Sequence, residues 1–190
     1  NYCLSQNASI ILMSHLGRPK NKDPLLSLYP LVEYLEDKFN VFVHFSDDCI
    51  SNSSIETSEK MLSKEIHLLE NLRFYDQEIE NNEDFAEKLS MHADIYVNDA
   101  FGLSHRKHAS NSSIMKFFKI KCIGLLMNRE IKYLSENISE DTVVLIGGAK
   151  ISTKIKMMNN YIGKVSHILI GGAMAFTFLK AQGKNIGLSL

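Results

Sequence analysis

Only four of the 21 basic residues are arginine, so the chain uses lysine wherever a plain surface charge suffices. Three of the four follow short apolar runs: Arg18 in SHLGRPK, Arg73 in LENLRF and Arg106 in AFGLSHRKH, while Arg129 falls on a helical stretch. A guanidinium presents a planar fork of donors that matches a phosphate or carboxylate in bidentate fashion, which a lysine point charge cannot do. Three forks at one edge of a sheet would hold a small dianion. Two of these loops add histidine, His15 with Arg18, and His105 and His108 around Arg106. Imidazole supplies neutral or cationic donors near neutral pH. Taken singly, each of these residues also fits a loop cap or a surface ion pair; the coincidence of three loops favours the anion site.

A second constellation is rich in glycine. LIGGAKISTK follows a strand-like run and opens a helical one, placing Gly147, Gly148 and the backbone of Ala149 where a phosphate could approach the free N–H groups of a helix start. A tight strand-to-helix turn accounts for the same residues. Lys150 and Lys154, four apart, are expected on one side of that helix, as a phosphate contact or as a solvated pair. LIGGAMAFTFL repeats the arrangement at Gly171 and Gly172, with Met174, Phe176 and Phe178 read as core behind it. Neither segment is a GxxxxGK[ST] or GxGxxG motif. No GxSxG elbow accompanies the serines beside His15 and His105, and the adjacent Asp47 and Asp48 read as solvated loop residues, so hydrolase and paired-carboxylate chemistry are disfavoured.

These loops need rigid elements beneath them. Short β-rich runs are expected as strands at Ala8–Met13, Val41–Phe45, Ile66–Glu70, Asp94–Val97, Thr142–Ile146 and His167–Ile170. Helical spacing is expected at Ser27–Phe39, with Ser27 as N-cap and Pro30 in the first turn, and at Glu83–Met91, Asn128–Ile138, Ile151–Tyr161 and Ala173–Ala181. Such alternation argues for an α/β fold of parallel strands with helices on both faces, and places ligands at the carboxyl ends of the strands. The serine-rich stretch Ser46–Ser58 reads as solvated loop with a weak helix start, and Lys121–Glu140 as a helical connector between two strand-rich halves.

The 190 residues are 45% hydrophobic and 23% charged, enough for a globular core, and the formal net charge of −1 gives no reason to expect nucleic acid or a membrane as partner. Cys3, Cys49 and Cys122 are odd in number and scattered, indicating neither a disulfide framework nor a metal site. A reducing cytoplasm is the expected setting. No apolar run is long enough to cross a bilayer, and no leader is evident. The ends, Asn1-Tyr2-Cys3 and Gly187-Leu188-Ser189-Leu190, read as cut.

Taken together, LMSHLGRP, LLENLRF, DIYVNDAFG with SHRKHAS, GGAKISTKI and IGGAMAFTFLKAQG, in this order and at these separations, resemble the phosphoglycerate kinase family across nearly the whole chain. The resemblance implies two Rossmann-like three-layer α/β/α domains joined by a helix, both incomplete in an internal fragment such as this. Residues 1–124 would belong to the 3-phosphoglycerate-binding domain, and residues 125–190 to the connecting helix and the start of the nucleotide-binding domain. The implied reaction is reversible phosphoryl transfer between 1,3-bisphosphoglycerate and ADP in glycolysis. MgATP or MgADP would carry the magnesium, with no metal held by the chain. His15, Leu16, Gly17 and Arg18 resemble the family's substrate loop, and Arg73, Arg106, His105 and His108 its basic patch. Lys150 resembles the lysine that assists the transferring phosphoryl group, and Arg18 is assigned a catalytic part beside it. Lys154, Gly147, Gly148, Ala149, Gly171 and Gly172 resemble the nucleotide pocket. A full-length cytoplasmic monomer is implied.

The sequence departs from the family pattern in four places. An opening Arg-Val-Asp-Phe-Asn-like strand is not present ahead of Asn1, nor a Gly-Gly-Asp-Thr-like turn beyond Leu190, and without them the full site is not expected to close. Ala173 stands where a third glycine is common, and ASNSSIMKF is more polar than the usual segment. An alternative reading is therefore an anion-binding module or inactive remnant. A dinucleotide oxidoreductase is disfavoured by the missing GxGxxG.

Overall fold

The computed structural model describes residues 1–136 and 138–189, so Asn137 of the expected helix 128–138, and the terminal Leu190, lie outside the described residues. In chain order the elements are α1 (Tyr2–Ser5), β1 (Ile10–Leu12), α2 (Leu31–Phe39), β2 (Val43–Ser46), α3 (Asn52–Glu59), β3 (Ile66–Leu69), α4 (Asp76–Ile79), α5 (Glu83–Ser90), β4 (Ile95–Asn98), β5 (Ile120–Ile123), α6 (Leu125–Glu136), β6 (Val143–Ile146), α7 (Ile155–Tyr161), β7 (His167–Ile170) and α8 (Met174–Ala181). Short 3-10 turns sit between them. All strand pairings are parallel, in sheets ordered β1-β3-β2, β4-β5 and β6-β7. The chain divides into two compact units, 1–127 and 128–190, at a point inside α6.

In the first unit, β3 is buried along its whole length, and the two-residue period of a strand sends its side chains into two cores. Ile66 and Leu68, with Ile10 and Leu12 of β1, meet Leu28, Val43 and the Val32, Leu35, Phe39 stripe of α2. Leu69, with Ile11 and Met13, faces Phe85, Ala86 and Leu89 of α5, together with Tyr96, Ile114 and Phe118. Helices on both faces follow from strands apolar on both sides. α2 stops at Asn40, whose left-handed backbone (φ 52°) lets its N–H return to the Glu36 carbonyl at 2.8 Å. α5 starts where the Asn82 side chain accepts from Phe85 N at 2.9 Å.

Several boundaries differ from the sequence reading. Pro30, not Ser27, is the N-cap of α2; the Ser27 hydroxyl serves the turn ahead of the helix, accepting from Tyr29 N at 3.1 Å and donating to the buried Glu70 carboxylate at 2.7 Å. The serine-rich stretch is not a solvated loop, because Ser51 caps α3 and both Cys49 and Ser54 are buried. Asp48 is also less solvated than expected, accepting from Ile50 N, Ser51 N and the Tyr75 hydroxyl. Residues 121–123, expected to be part of a helical connector, belong to β5 against β4. Their periodicity was ambiguous because Lys121 interrupts a short apolar run, and pairing with a neighbouring strand decided the outcome.

The second unit is thinner. β6 and β7 bury one face, through Val144, Ile146, Ile168 and Ile170, against Met158 of α7 and Met174 and Phe178 of α8. The opposite face carries the exposed Val143, Leu145 and Leu169. Phe176, expected in the core, is exposed.

Candidate anion sites

The loop after β1 is shaped by a residue three positions before Leu72–Phe74 ends. Asn71 is fully buried and uses both ends of its amide. Its oxygen accepts from Leu16 N at 3.2 Å and Arg73 N at 3.0 Å, while its nitrogen donates to the carbonyls of Leu16 at 2.8 Å and Leu26 at 2.9 Å. Leu72 N adds a bond to the Ser14 carbonyl at 3.1 Å. The carboxylate of Glu70 supports this corner by accepting from Asn71 N and Leu28 N. Gly17 turns with φ +63°, and a Cβ there would meet Leu26 Cδ2 at 3.0 Å. Arg73 reaches back to donate to the Gly17 carbonyl at 2.6 Å. The two arginine loops are thereby tied into one body.

Arg106 arrives on the loop after β4. Arg18, Pro19, Arg73, Ile79, Arg106 and His108 line one open cavity of about 370 Å³. Among the described residues no carboxylate stands within ion-pair distance of any of the three guanidinium groups. The crowding is felt electrostatically. Burial, then Arg106 and Arg18, lower the proton affinity of Arg73, which nevertheless stays charged. Burial, followed by Arg73, His108 and Arg106, lowers the pKa of the half-buried His15 and favours its neutral form. The buried Glu78 lies 3.8 Å from His108 Nδ1 and tempers the positive field at Arg73. Three guanidinium groups without a carboxylate partner are what a doubly charged anion would neutralise.

Of the residues singled out in the sequence, Arg18, Arg73, Arg106 and His108 meet at this cavity, and His15 shares its field. Leu16 and Gly17 contribute through backbone: the Leu16 side chain is exposed. His105 is exposed and is not part of the cavity lining. Asn71 was missed, although a polar Glu-Asn pair ending a strand buried on both faces was a signal in LLENLRF.

In the second unit, the glycine turns after β6 and β7 lock together. Gly171 N donates to Ile146 O at 2.8 Å and Met174 N to Gly148 O at 2.9 Å. Gly172, at φ +70°, has no room for a side chain, since a Cβ would lie 2.9 Å from Gly148 O and 3.0 Å from Gly148 N. The Lys154 side chain passes over Gly148, with its Cε 3.1 Å from where a Cβ would stand. Gly147 and Ala149 complete the strand-to-turn segment. Lys150 and Lys154 do not share one helical face, contrary to their spacing. Lys150 is extended (φ −107°, ψ 110°) ahead of the 3-10 turn Ile151–Thr153, and Lys154 precedes α7. Among the described residues no group of three or more His, Cys, Asp or Glu side chains gathers to hold a metal ion, and no helix is long and apolar enough to cross a membrane.

The phosphoglycerate kinase family model matches residues 1–190. The phosphoglycerate kinase of Finegoldia magna is 47% identical over 195 residues, spanning all of this chain and 49% of that protein. That of Acidobacterium capsulatum is 46% identical over 199 residues, again with all of this chain and 49% of the relative. The solved structure of phosphoglycerate kinase from Coxiella burnetii superposes with a TM-score of 0.78 at 36% identity, covering 98% of this chain and 47% of that one. The chain spans about half the length of the curated relatives it matches. Matched along its whole length in sequence and nearly so in structure, the chain belongs to the phosphoglycerate kinase family.

Proposed function

We propose that this chain supplies the acid-substrate site and part of the nucleotide site of a phosphoglycerate kinase, an ATP-dependent phosphotransferase with a carboxyl group as acceptor. In the glycolytic direction a β-phosphate oxygen of ADP attacks the acyl phosphorus of 1,3-bisphosphoglycerate. The bond from that phosphorus to the carboxyl oxygen breaks, giving ATP and 3-phosphoglycerate. Such a transfer asks the protein mainly to position two anions and to neutralise the charge of the moving group.

The observation that carries this reading is the convergence of Arg18, Arg73 and Arg106, none of them paired with a carboxylate among the described residues, on one cavity that His108 also lines. In this assignment the three forks and His15 hold 3-phosphoglycerate, Leu16 and Gly17 shape the loop, and His105 approaches from the exposed rim. Arg18 also acts on the reacting carboxylate. On the second unit, the locked turns at Gly147, Gly148, Ala149 and Gly172 offer backbone N–H groups to the nucleotide, while Gly171, whose N–H is given to Ile146 O, shapes the pocket; Lys154 binds the phosphates, and Lys150 stabilises the transferring phosphoryl group. Magnesium enters with the nucleotide as part of the substrate. Residues 1–127 would lie in the acid-substrate domain and 128–190 in the nucleotide domain, of a cytoplasmic monomer; the three unpaired cysteines fit a reducing compartment.

The test is a coupled kinase assay on the full-length protein carrying Arg18→Lys, Arg73→Lys or Arg106→Lys. Each keeps its charge and loses its fork, so the KM for 3-phosphoglycerate is expected to rise by about tenfold or more while that for MgATP stays within about twofold. Equal losses toward both substrates would overturn the assignment, and a full-length protein without kinase activity would overturn the reaction itself.

A further inference from the structure

The segment after His108 is tied down by its polar side chains. The Asn111 amide nitrogen donates to two main-chain carbonyls, those of Leu103 and Arg106, each at 2.8 Å. Its oxygen accepts from the Asn98 side chain, at the end of β4, at 2.6 Å. The orientation is unambiguous, because a carbonyl can only accept and the nitrogen must therefore face both. Beside it, Ser110 gives both its N–H (2.9 Å) and its hydroxyl (2.6 Å) to the buried Glu78 carboxylate, and Ala109 N reaches the Glu78 carbonyl at 2.9 Å. Ser113 is held in the same way by Asn81.

We infer that Asn111 is a positioning residue for anion recognition, fixing the turn 103–106 so that the Arg106 guanidinium faces the cavity shared with Arg18 and Arg73. The inference rests on the substrate reading above. Arg106 is exposed at the end of a loop and makes no side-chain hydrogen bond or ion pair among the described residues, so its aim depends on its own backbone. Two carbonyls clamped by one amide, anchored to a strand end, fix that backbone at both ends of the turn. Asn111 acts only through Arg106 and does not touch the anion. Glu78 holds the stem of the loop from behind, through Ser110, which leaves Asn111 as the group that aims the turn.

The experiment measures dissociation constants of 3-phosphoglycerate and MgADP by calorimetry on the full-length protein carrying Asn111→Ala, Arg106→Ala, or both. Asn111→Ala is expected to weaken 3-phosphoglycerate about tenfold and to leave MgADP within about twofold. In the Arg106→Ala background the same change is expected to add nothing, since a residue that works through another loses its effect with it. A further full loss in the double variant, or equal weakening of both ligands, overturns the inference and makes Asn111 merely structural. If Arg106→Ala leaves 3-phosphoglycerate binding unchanged, the substrate assignment falls and this inference with it; that result is distinct, because it is seen with Asn111 intact. Should Asn111→Ala fail to fold, Asn98→Asp carries the same test. It keeps an acceptor for Ala100 N and replaces the donor to Asn111 with a repelling oxygen.

Discussion

The two proposed anion sites of this chain would be built by opposite means. In the first unit, the proposed site is made of side chains: three arginines and two histidines, supported by Asn71, Asn111 and Glu78. In the second, the proposed site is made of backbone, with Gly172 and Gly148 in a contact too close for any side chain between them and the Lys154 side chain beside Gly148. A fork needs aiming and therefore a supporting layer of buried amides and carboxylates, whereas a row of backbone N–H groups is aimed by φ and ψ alone. The cores differ accordingly. The side-chain site stands on a sheet covered on both faces, and the backbone site on two strands covered on one.

The contrast is broken most severely at Asn71. Asn71→Asp keeps the acceptor for Leu16 N and Arg73 N but turns a carboxylate oxygen toward the carbonyls of Leu16 and Leu26. Each carbonyl against the buried Asn71 side chain that is left without a donor costs about 1–3 kcal/mol, so a loss on the order of 4 kcal/mol in denaturant unfolding is expected, with 3-phosphoglycerate affinity falling along with it. A loss below about 1 kcal/mol would mean that the corner relaxes and that the amide is not what holds the two loops together.

At Gly172 the same test is steric. Gly172→Ala meets both a left-handed backbone and two Gly148 backbone atoms at 2.9 and 3.0 Å, neither of which is a flexible chain end. The expected result is a fall of about 100-fold in kcat/KM for MgATP, or about 3 kcal/mol, with 3-phosphoglycerate binding retained. Equal damage to both ligands would show that the glycine contact supports the fold as a whole and that the two sites are not separable.

These two residues mark what could be read from sequence and what could not. Strands β1, β3, β6 and β7 were legible because runs such as SIILM and VVLI carry their own signal, and so were the arginine and glycine loops that follow strands. The supporting layer was not. The Glu-Asn pair ending a buried strand hinted at Asn71, but the partners of Asn71, Asn111 and Glu78 are seen only once residues 16, 26 and 103–110 are brought beside them, because local spacing does not encode them. Lys150 and Lys154 were misjudged for a related reason. An i, i+4 pair shares a face only if a helix joins the two, and here an extended residue and a 3-10 turn intervene. Likewise Ser27 is a favourable N-cap type, but its oxygen accepts from Tyr29 N in the turn before the helix while its proton goes to the buried Glu70.

A buried histidine relay sharpens the view of the first unit as side-chain built. His92 Nε2 lies 3.0 Å from the Cys49 carbonyl, so that nitrogen carries the proton and Nδ1 accepts from the Ser58 hydroxyl at 2.6 Å. Ser58 then accepts from His67 Nδ1 at 2.8 Å, which leaves His67 Nε2 to accept from the Ser46 hydroxyl at 2.8 Å. Every partner is satisfied with both rings neutral, and burial, followed by His92 and His44, pushes His67 down to about 4. Between that value and the ordinary value of 6.5 the unfolded chain binds the extra proton. Stability from this group is therefore complete above about pH 6.5 and is lost as pH falls toward 4. About 2 kcal/mol should disappear between pH 7 and pH 5 in equilibrium unfolding, and His67→Asn should flatten that slope. An unchanged slope in the variant would assign the acid sensitivity elsewhere.

The smallest expected effect separates the two sites by protons. Burial and then the cations Arg73, His108 and Arg106 favour the neutral form of His15. An anion in the cavity offsets those cations, so His15 should bind a proton more readily in the complex and 3-phosphoglycerate should bind more tightly as pH falls from 7 to 6. The ligand's own phosphate titrates in the same range, and entering a positive site favours its dianion, which acts in the opposite direction. Subtraction isolates the histidine. Calorimetry of the parent and of His15→Gln, each in two buffers of different ionisation heat, should differ by an uptake of at most about half a proton near pH 6. MgADP, held in this reading by glycine backbone and lysine, should show no such difference between the two proteins. A difference with MgADP as large as that with 3-phosphoglycerate would mean that His15 responds to a change common to both ligands rather than to an anion beside it, and the division between a side-chain site and a backbone site would lose its electrostatic support.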